Sequence, residues 1–189
     1  PAGQGPRHMR DDKSQRQWVC EALHAHERDL TGYATYLLRG DVNRARDVVQ
    51  DTFLRLWKAD RNQIENRVRA WLFTVCRNRA LDVLRKDGRM PAIDSGHLSS
   101  PSLRYVPAPP DSEQREAQSG VMAFVNELPP RQREAVQLKF QNDMSYREIS
   151  EVMETTISNV GVLIHTALKT LREKIDRMDR NDVAQATNA

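Results

Sequence analysis

The sequence has few of the residues that mark several common classes of protein. Of its 189 residues only two are cysteine, and aromatic residues make up 6%. Neither Cys20 nor Cys76 lies in a CxxC motif or beside histidines at ligand spacing, which argues against a zinc site. We therefore expect two reduced, partly buried thiols. Few aromatic residues together with 29% charged residues favour small helical cores over a large enzyme with a deep pocket.

Long apolar runs are also missing. A membrane-spanning helix needs about 20 consecutive apolar residues, and the chain has neither such a run nor a recognisable secretory signal. These absences predict a cytoplasmic protein without direct membrane insertion. The sequence also shows no Gly-rich phosphate loop, metal triad or nucleophile–base pair. We therefore expect no catalytic residue, metal, cofactor or small-molecule substrate, and hence no enzyme.

The charge is mildly basic and unevenly distributed. The formal net charge is +3 and the sequence pI is about 9.1. Basic residues cluster in 67–86 and again in 131–139, whereas acidic residues cluster near Asp47 and Asp51. This pattern permits nucleic-acid binding without requiring it.

The chain divides into zones of different composition. Helical patterns fill residues 14–87 and 113–178, and the stretch between them, 88–112, is rich in Pro, Ser and Gly. We expect an all-α protein of two small helical domains joined by a flexible linker. Residues 1–9 have the composition of a remnant from an expression vector, and residues 179–189 form a polar tail that we expect to fray.

The segment 41–58 shows the clearest helical pattern. Leu54 lies opposite its apolar stripe, among carboxylates and an amide. From spacing alone, this face is either a docking surface with a polar rim or a solvated face with one incidental leucine. The apolar stripe comprises Ala45, Val48, Val49, Thr52, Phe53, Leu56 and Trp57, and the opposite face comprises Asp47, Gln50, Asp51 and Leu54.

The segment 67–86 predicts a second helix with a polar face that includes a tryptophan. Such a face is typical of surfaces that stack bases and neutralise phosphates, although Trp71 could equally fold into the core. The predicted core side comprises Val68, Leu72, Val75, Cys76, Ala80, Val83 and Leu84. The other face comprises Arg67, Trp71, Thr74, Asn78, Asp82 and Arg85, flanked by Arg69, Arg77 and Arg79.

Two amphipathic segments near the C-terminal end predict a helix-turn-helix. Ser145 and Glu148 form a capping-box pattern, and Thr155 or Thr156 caps the second helix after a short turn. The second helix would expose Ser158, Asn159, Val162 and His165. Its predicted buried stripe comprises Ile157, Val160, Ile164, Leu168, Leu171 and Ile175. This pattern is typical of major-groove reading, but ordinary helix pairs share it.

These segments, taken in order, resemble the extracytoplasmic-function (group 4) sigma factors of the sigma-70 family. The resemblance covers nearly the whole chain outside the first residues, the linker interior and the tail. The motifs are DVVQDTFLRLW at 47–57, RAWL at 69–72, RNRALDVLR at 77–85, LPPRQRE at 128–134 and SYREISE at 145–151.

The resemblance implies an alternative sigma factor that binds core RNA polymerase and directs promoter recognition and DNA opening. The first motif implies that the helix over 41–58 docks on the clamp of the largest polymerase subunit, with Leu54 as its apolar anchor. The residues expected to bind polymerase are Asp47, Gln50, Asp51, Leu54 and Arg55.

The resemblance also implies that the helix over 67–86 binds the non-template strand of the minus-ten element. One base would leave the stack and enter a pocket under the loop 59–66, where stacking and hydrogen bonds offset the cost of opening the duplex. Glu65 and Asn66 are further candidate readers in that loop. The residues expected to contact minus-ten DNA are Asn62, Gln63, Arg67, Arg69, Trp71, Arg77, Asn78, Arg79, Asp82 and Arg85.

The helix-turn-helix would read the minus-thirty-five element. The matching helix departs from the family pattern, because it has no basic residue before Lys169. We therefore expect weak phosphate contact through this helix, supported by cations elsewhere, including Arg172. Val162 and Leu163 suggest contacts either with thymine methyl groups or with an inhibitor protein. The residues expected to contact this element are Arg131, Arg133, Arg147, Thr155, Thr156, Ser158, Asn159, Val162, His165 and Lys169.

The linker, with Asp94 and Asp111, would thread the polymerase cleft toward the RNA path, a role that rests on the resemblance alone. A flexible linker would also let the two domains fold around an inhibitor, so we expect an anti-sigma factor as a partner. The alternative is a helix-turn-helix repressor or activator with a helical sensor domain. That reading leaves the arginine-and-tryptophan face of 67–85 and the acidic face around Asp51 without a role.

Overall fold

The computed structural model describes part of the chain and divides it into two compact units, Pro1–Met90 and Pro91–Ala189. Every regular element in the described ranges is helical, which confirms the predicted all-α fold. The predicted linker beyond Gly88 lies outside these ranges, together with Asp94 and Asp111. Backbone is described for residues 5–88 and 122–187, and side chains for residues 13–88 and 122–178.

The first unit is built on three long helices with short, capped connections. Arg39 and Gly40 turn the chain between the first two helices with positive φ values of 58° and 91°. Asp41 then caps the second helix by accepting from the backbone N–H of Arg44 at 3.1 Å. The elements are α1 (Gly5–Leu37), α2 (Val42–Lys58), α3 (Arg61–Ile64), a 3-10 turn (Glu65–Arg67) and α4 (Val68–Lys86).

The core of the first unit lies between α1, α2 and α4. Tyr33 of α1 packs against Phe73 of α4 with ring centroids 5.3 Å apart, and Leu56 of α2 is fully buried. The predicted core stripe of α2 is correct except for Trp57, which is 37% exposed. Trp57 is not buried because Leu56, its neighbour in the last turn of α2, already points into the core. In α4, Val68, Val75 and Val83 are only half-buried, and Ala70 and Phe73 are buried in addition to the predicted positions.

The two cysteines occupy opposite environments, so the prediction that both are partly buried is wrong. Cys20 is exposed and Cys76 is fully buried, and both are free thiols. Burial raises the pKa of Cys76 to about 12, although the neighbouring Thr52 hydroxyl acts in the opposite direction. Cys76 is therefore a packing residue of the core.

The second unit contains the predicted helix-turn-helix. The capping box is confirmed: the Ser145 hydroxyl accepts from the backbone N–H of Glu148, whose carboxylate accepts from the backbone N–H of Ser145. Glu154, with φ of 50°, turns the chain toward the last helix. The elements are α5 (described residues 122–126), α6 (Pro130–Phe140), α7 (Tyr146–Val152) and α8 (Ile157–Thr187).

The predicted buried stripe of α8 is partly wrong. Val160, Ile164 and Leu171 are buried as predicted, but Ile175 is only half-buried and Ile157 and Leu168 are exposed. Ala167, which was not predicted, is buried. The reason is that α8 packs against α6 through a buried cluster that includes the small residue Ala167, whereas the spacing rule assigned that buried position to Leu168. That cluster consists of Leu128, Val136, Ala167 and Leu171, with Phe124 and Val125 packed against it. The helix also continues to Thr187, beyond the end predicted at residue 178.

Candidate nucleic-acid and protein interfaces

The outer face of α2 presents the polar and apolar groups expected of a docking surface. Leu54 is 55% exposed and does not pack into the core. Gln50 is exposed one turn before it and Asp47 two turns before it, and Asp51 is half-buried. A large apolar side chain inside a polar rim is the arrangement found at the centre of many protein interfaces.

Asp51 connects this face to the next helix. Its carboxylate accepts from Nε of Arg55 at 3.1 Å and from Nε of Arg79, on α4, at 2.5 Å. Burial by itself raises the pKa of Asp51, but the hydrogen bonds from the two arginines outweigh it and hold that pKa below its ordinary value. The acidic face and the basic face therefore meet at one ion pair, whereas the sequence predicted two separate surfaces.

The polar face of α4 has solvent-exposed side chains at its centre and at both ends. Trp71 is half-buried, and Arg67, Asn78 and Arg85 are exposed. Thr74, also half-buried, turns its hydroxyl toward the backbone by donating to the carbonyl of Ala70 at 2.8 Å. The indole is therefore not sealed in the core, which is the condition that base stacking on this face requires.

Carboxylates accompany the arginines of the α4 face. Asp82 accepts from Nη1 of Arg85 at 2.5 Å and lies 3.9 Å from Nη1 of Arg79. With Asp51, these residues form a chain of ion pairs along the helix. Phosphates that bind here would compete with these carboxylates for the guanidinium groups.

Arg77 and Arg69 have surroundings that the sequence did not predict. Arg77 is only 8% exposed, so it cannot reach a phosphate without rearrangement, because its position in the helix faces the core. Arg69 is half-buried and lies close enough to His26 of α1 to affect its titration. Burial first, and the charge of Arg69 second, lower the pKa of His26, while Asp29 acts in the opposite direction.

The loop 59–66 contains α3 and the start of the 3-10 turn, and side-chain hydrogen bonds hold it in place. Asp60 caps α3 by accepting from the backbone N–H of Asn62 at 3.0 Å, and it also accepts from Nε2 of Gln63 at 3.2 Å. Asn62, Gln63 and Asn66 are exposed. Glu65 is engaged by Arg61, whose Nε and Nη2 donate to Oε1 at 3.1 and 2.5 Å. Three amides therefore remain at the surface as candidate base readers.

Sequence reasoning missed the residues of α1 that contact this loop. Gln15, Trp18 and Ser14 all lie beside Arg61 or the end of α2. Their partners are more than 40 positions away in sequence, as in the bond between Gln15 and Trp57 at a separation of 42. No local pattern reports contacts at such a separation.

The start of α8 presents a weakly charged surface. Val162 is 61% exposed, and Ser158 and His165 are exposed beside it. Thr156 caps the helix by accepting from the backbone N–H of Asn159 at 3.1 Å, and Nδ2 of Asn159 donates to the hydroxyl of Thr155 at 2.8 Å. The turn thus holds Asn159, so that side chain is oriented before any ligand arrives.

The cations predicted to support α8 differ in accessibility. Arg147, Lys169 and Arg172 are exposed, and Arg131 is half-buried. Arg133 is only 7% exposed, and its guanidinium donates to the carbonyls of Leu128 and Asn126. We correct its predicted accessibility: Arg133 closes the turn before α6, because buried carbonyl groups need donors.

In the ranges with described side chains, no three His, Cys, Asp or Glu residues are placed to hold a metal ion. Searched over the same ranges, no helix is long and apolar enough to cross a membrane. The features that remain are two faces and a loop in the first unit and a helix-turn-helix in the second. This combination is typical of helical, DNA-binding transcription factors that also dock on another protein.

Comparison with known families agrees with this class. Residues 22–90 match the family model for sigma-70 region 2, and residues 120–171 match the model for sigma-70 region 4. The chain is 28% identical over 137 residues to the ECF RNA polymerase sigma factor SigM of Bacillus subtilis, covering 72% of this chain and 83% of that protein. It is 30% identical over 142 residues to SigE of Mycolicibacterium smegmatis, covering 73% of this chain and 54% of that protein.

Two solved structures share the fold. One is the sigma factor RpoE of Bartonella quintana in complex with the anti-sigma factor NepR, with a TM-score of 0.60, 23% identity, and coverage of 87% of this chain and 98% of that one. The other is CnrH in complex with the cytosolic domain of CnrY, with a TM-score of 0.59, 21% identity, and coverage of 89% and 94%. The chain belongs to the extracytoplasmic-function sigma factors of the sigma-70 family.

Proposed function

We propose that the chain is an alternative sigma factor that binds core RNA polymerase in the cytoplasm and directs it to promoters, where it opens the DNA. The observation that carries this proposal is the pairing, in one small unit, of an exposed Leu54 with a polar rim and an exposed cationic face around Trp71. One face suits a protein and the other suits unpaired DNA. The chain itself would make and break no covalent bond, so we propose no enzymatic activity.

The first unit, which we assign to residues 14–87, would bind polymerase through the outer face of α2. Leu54 would insert into an apolar recess and the surrounding polar groups would pair with basic residues of the clamp. Asp51 has a second role here, because its carboxylate already orients Arg79. The proposed polymerase contacts are Asp47, Gln50, Asp51, Leu54 and Arg55.

The α4 face would hold the separated non-template strand. Trp71 would stack on a base, and the exposed guanidinium groups would bind phosphates. We place Arg77 outside this contact, as a residue that supports the helix from the core side. The proposed minus-ten contacts are therefore Asn62, Gln63, Arg67, Arg69, Trp71, Asn78, Arg79, Asp82 and Arg85.

The second unit, which we assign to residues 113–178, would read the minus-thirty-five element in duplex DNA through the start of α8. Hydroxyl and amide groups there can bond base edges, and the Val162 methyl groups suit the methyl group of thymine. Arg133 supports the turn before α6 and makes no DNA contact in this proposal. The proposed contacts are Arg131, Arg147, Thr155, Thr156, Ser158, Asn159, Val162, His165 and Lys169.

We further propose that an anti-sigma factor controls the chain. Two proteins of the same fold were solved with a partner: the sigma factor RpoE with the anti-sigma factor NepR, and CnrH with the cytosolic domain of CnrY. In this chain, the exposed apolar side chains of α2 and α8 would be the groups that an inhibitor covers. The linker, assigned to 88–112, would connect the two units around it.

Run-off transcription with purified core polymerase and a random promoter library tests the function. We expect transcripts only when the chain is present, from templates that share two short sequence elements, one for each unit. A helix-turn-helix repressor would give no added transcripts and would not co-purify with core polymerase in stoichiometric amounts. Either result would reject the sigma-factor proposal.

A further inference from the structure

The first half of α1 contacts the loop that we propose to read the minus-ten base. We propose that Gln15, Trp18 and Arg61 are positioning residues, which hold the loop 59–66 in its reading conformation before DNA arrives. This inference rests on the proposed function of the loop and adds that α1, which carries none of the proposed DNA contacts, determines its base selectivity.

Gln15 fixes the point where the loop begins. Its Nε2 donates to the carbonyl oxygen of Trp57 at 3.3 Å and to that of Ala59 at 3.4 Å. Carbonyl groups at the end of a helix have no partner within the helix and must find one elsewhere. The side chain of Gln15 supplies that partner for the end of α2, so the loop leaves α2 in a direction that α1 sets.

Arg61, in the middle of the loop, anchors the loop to α1. Its guanidinium carbon lies 5.5 Å from the centre of the Trp18 ring, and its Nη1 donates to the hydroxyl of Ser14 at 3.2 Å. The same group donates through Nε and Nη2 to Glu65. Trp18 is buried, so the surface on which Arg61 rests is itself held by the core. A lysine could not contact Trp18, Ser14 and Glu65 at the same time, because it lacks the planar fork of donors.

Asp60 transmits this arrangement to the proposed readers. It lies between the two anchored points, and its carboxylate accepts both from the backbone N–H of Asn62 and from the amide of Gln63. The amide of Gln63 is therefore turned before a base arrives. Groups held in advance lose less conformational entropy on binding, and they discriminate better because a wrong base cannot be accommodated by rearrangement.

The test uses the full chain in holoenzyme with core polymerase, on a promoter library randomised at every minus-ten position. Fluorescence of 2-aminopurine identifies the position whose base is unstacked. Gln15→Ala and Arg61→Lys are each expected to lower discrimination at that position by about fivefold, the size expected for loss of one or two hydrogen bonds. Discrimination at the other minus-ten positions is expected to stay unchanged.

Gln17→Ala is the matched control. It removes a glutamine side chain two positions along the same helix, where Nε2 of Gln17 donates to Glu21 of α1 at 3.0 Å. Its base preferences are expected to match those of the unaltered chain. Amide hydrogen exchange gives a second readout without DNA: residues 61–67 are expected to exchange faster in Gln15→Ala and Arg61→Lys, while α2 and α4 keep their protection.

Three results with the variants would overturn the inference. Unchanged selectivity at the unstacked base in both variants would do so, and so would an equal effect of Gln17→Ala. Equal loss at every minus-ten position with faster exchange throughout the unit would mean that these residues only stabilise the fold. If instead the unaltered holoenzyme shows no preference at any minus-ten position, the proposed function of the loop fails, and the positioning role falls with it.

Discussion

Helix α4 of the first unit and helix α8 of the second are both proposed to contact DNA, but they present opposite chemistry. The α4 face carries exposed Arg67 and Arg85, and Arg79 is paired with a carboxylate. The start of α8 exposes Val162 and short polar side chains, with no cation before Lys169. The two helices should therefore differ in how strongly salt weakens their binding, because only phosphate contacts release counterions.

The difference suggests that α4 holds unpaired DNA and α8 reads duplex DNA. Unpaired DNA must be held against the tendency of the duplex to close, which favours cations and an aromatic platform. Duplex DNA can be read by hydrogen bonds and methyl contacts without many phosphate contacts, at a cost in affinity. Core polymerase, bound through a separate face, would compensate for the weak binding of α8 by holding it near the promoter.

The separate polymerase face gives the largest expected effect. Leu54→Ala should lower the affinity for core polymerase about thirtyfold, since truncating a central apolar anchor commonly costs about 2 kcal/mol. Binding of labelled chain to core polymerase, followed by fluorescence anisotropy, measures this. Leu23→Ala removes another exposed leucine of the same unit and should bind normally. A similar loss in both variants would mean that the Leu54 face has no special role.

The stacking role of the α4 face gives the next largest effect. Trp71→Ala should slow promoter opening about tenfold, because stacking of one base on an aromatic ring contributes about 1–3 kcal/mol. Affinity for core polymerase should not change. Permanganate reactivity of minus-ten thymines reports the opening directly. Trp57→Ala, which removes another partly exposed indole, serves as the control. Normal opening in Trp71→Ala would show that the α4 face does not use this ring to stack a base.

Adding a cation to α8 should make it resemble α4. Val162→Lys is expected to strengthen non-specific duplex binding about threefold and to steepen the slope of log K against log salt by about 0.9, the value for one added phosphate contact. Titrations of the full chain at several salt concentrations give that slope. Val162→Gln adds polarity without charge and should leave the slope unchanged. A lysine variant with the original slope would show that this part of α8 does not face phosphate.

The ion pair between Asp51 and Arg79 gives the smallest effect. A double-mutant cycle with Asp51→Asn and Arg79→Gln should show a coupling of about 0.5 kcal/mol in the free energy of unfolding, as for partly exposed pairs. Because the folded-state pKa of Asp51 is lowered, this stabilisation is present above its unfolded pKa and disappears as the pH falls through the folded pKa. Urea unfolding at neutral and acidic pH measures it, and a coupling that does not depend on pH would contradict the assignment.

The helices and several of their ends could be predicted from the sequence, because caps and apolar periodicity are local, although the end of α8 was predicted too early. The capping box at Ser145 and the α2 stripe before Trp57 are examples. The exposure of Leu54 also follows from spacing, since it lies opposite a stripe that must be buried. The α8 stripe was predicted less well, because the short side chain of Ala167 packs where a larger residue was expected.

The partners of the charged side chains could not be predicted. The sequence predicted that Arg133 and Arg77 lie at the surface, but both are buried. Arg133 donates to backbone carbonyls that become its neighbours only once the turn before α6 has formed. Helical spacing assigns a direction to a side chain but does not say how far a long side chain folds back over its neighbours.

The amino-acid sequence by itself determined which segments are helical, which side of each is apolar, and which motifs belong to the sigma-70 family, because these depend on neighbours within a few residues. Only the tertiary structure decided that Asp51 pairs with Arg79, and that Gln15 and Arg61 anchor the loop 59–66 to α1. Such contacts join residues 28 to 47 positions apart. They form because packing of the helices brings polar groups together, where each must find a partner.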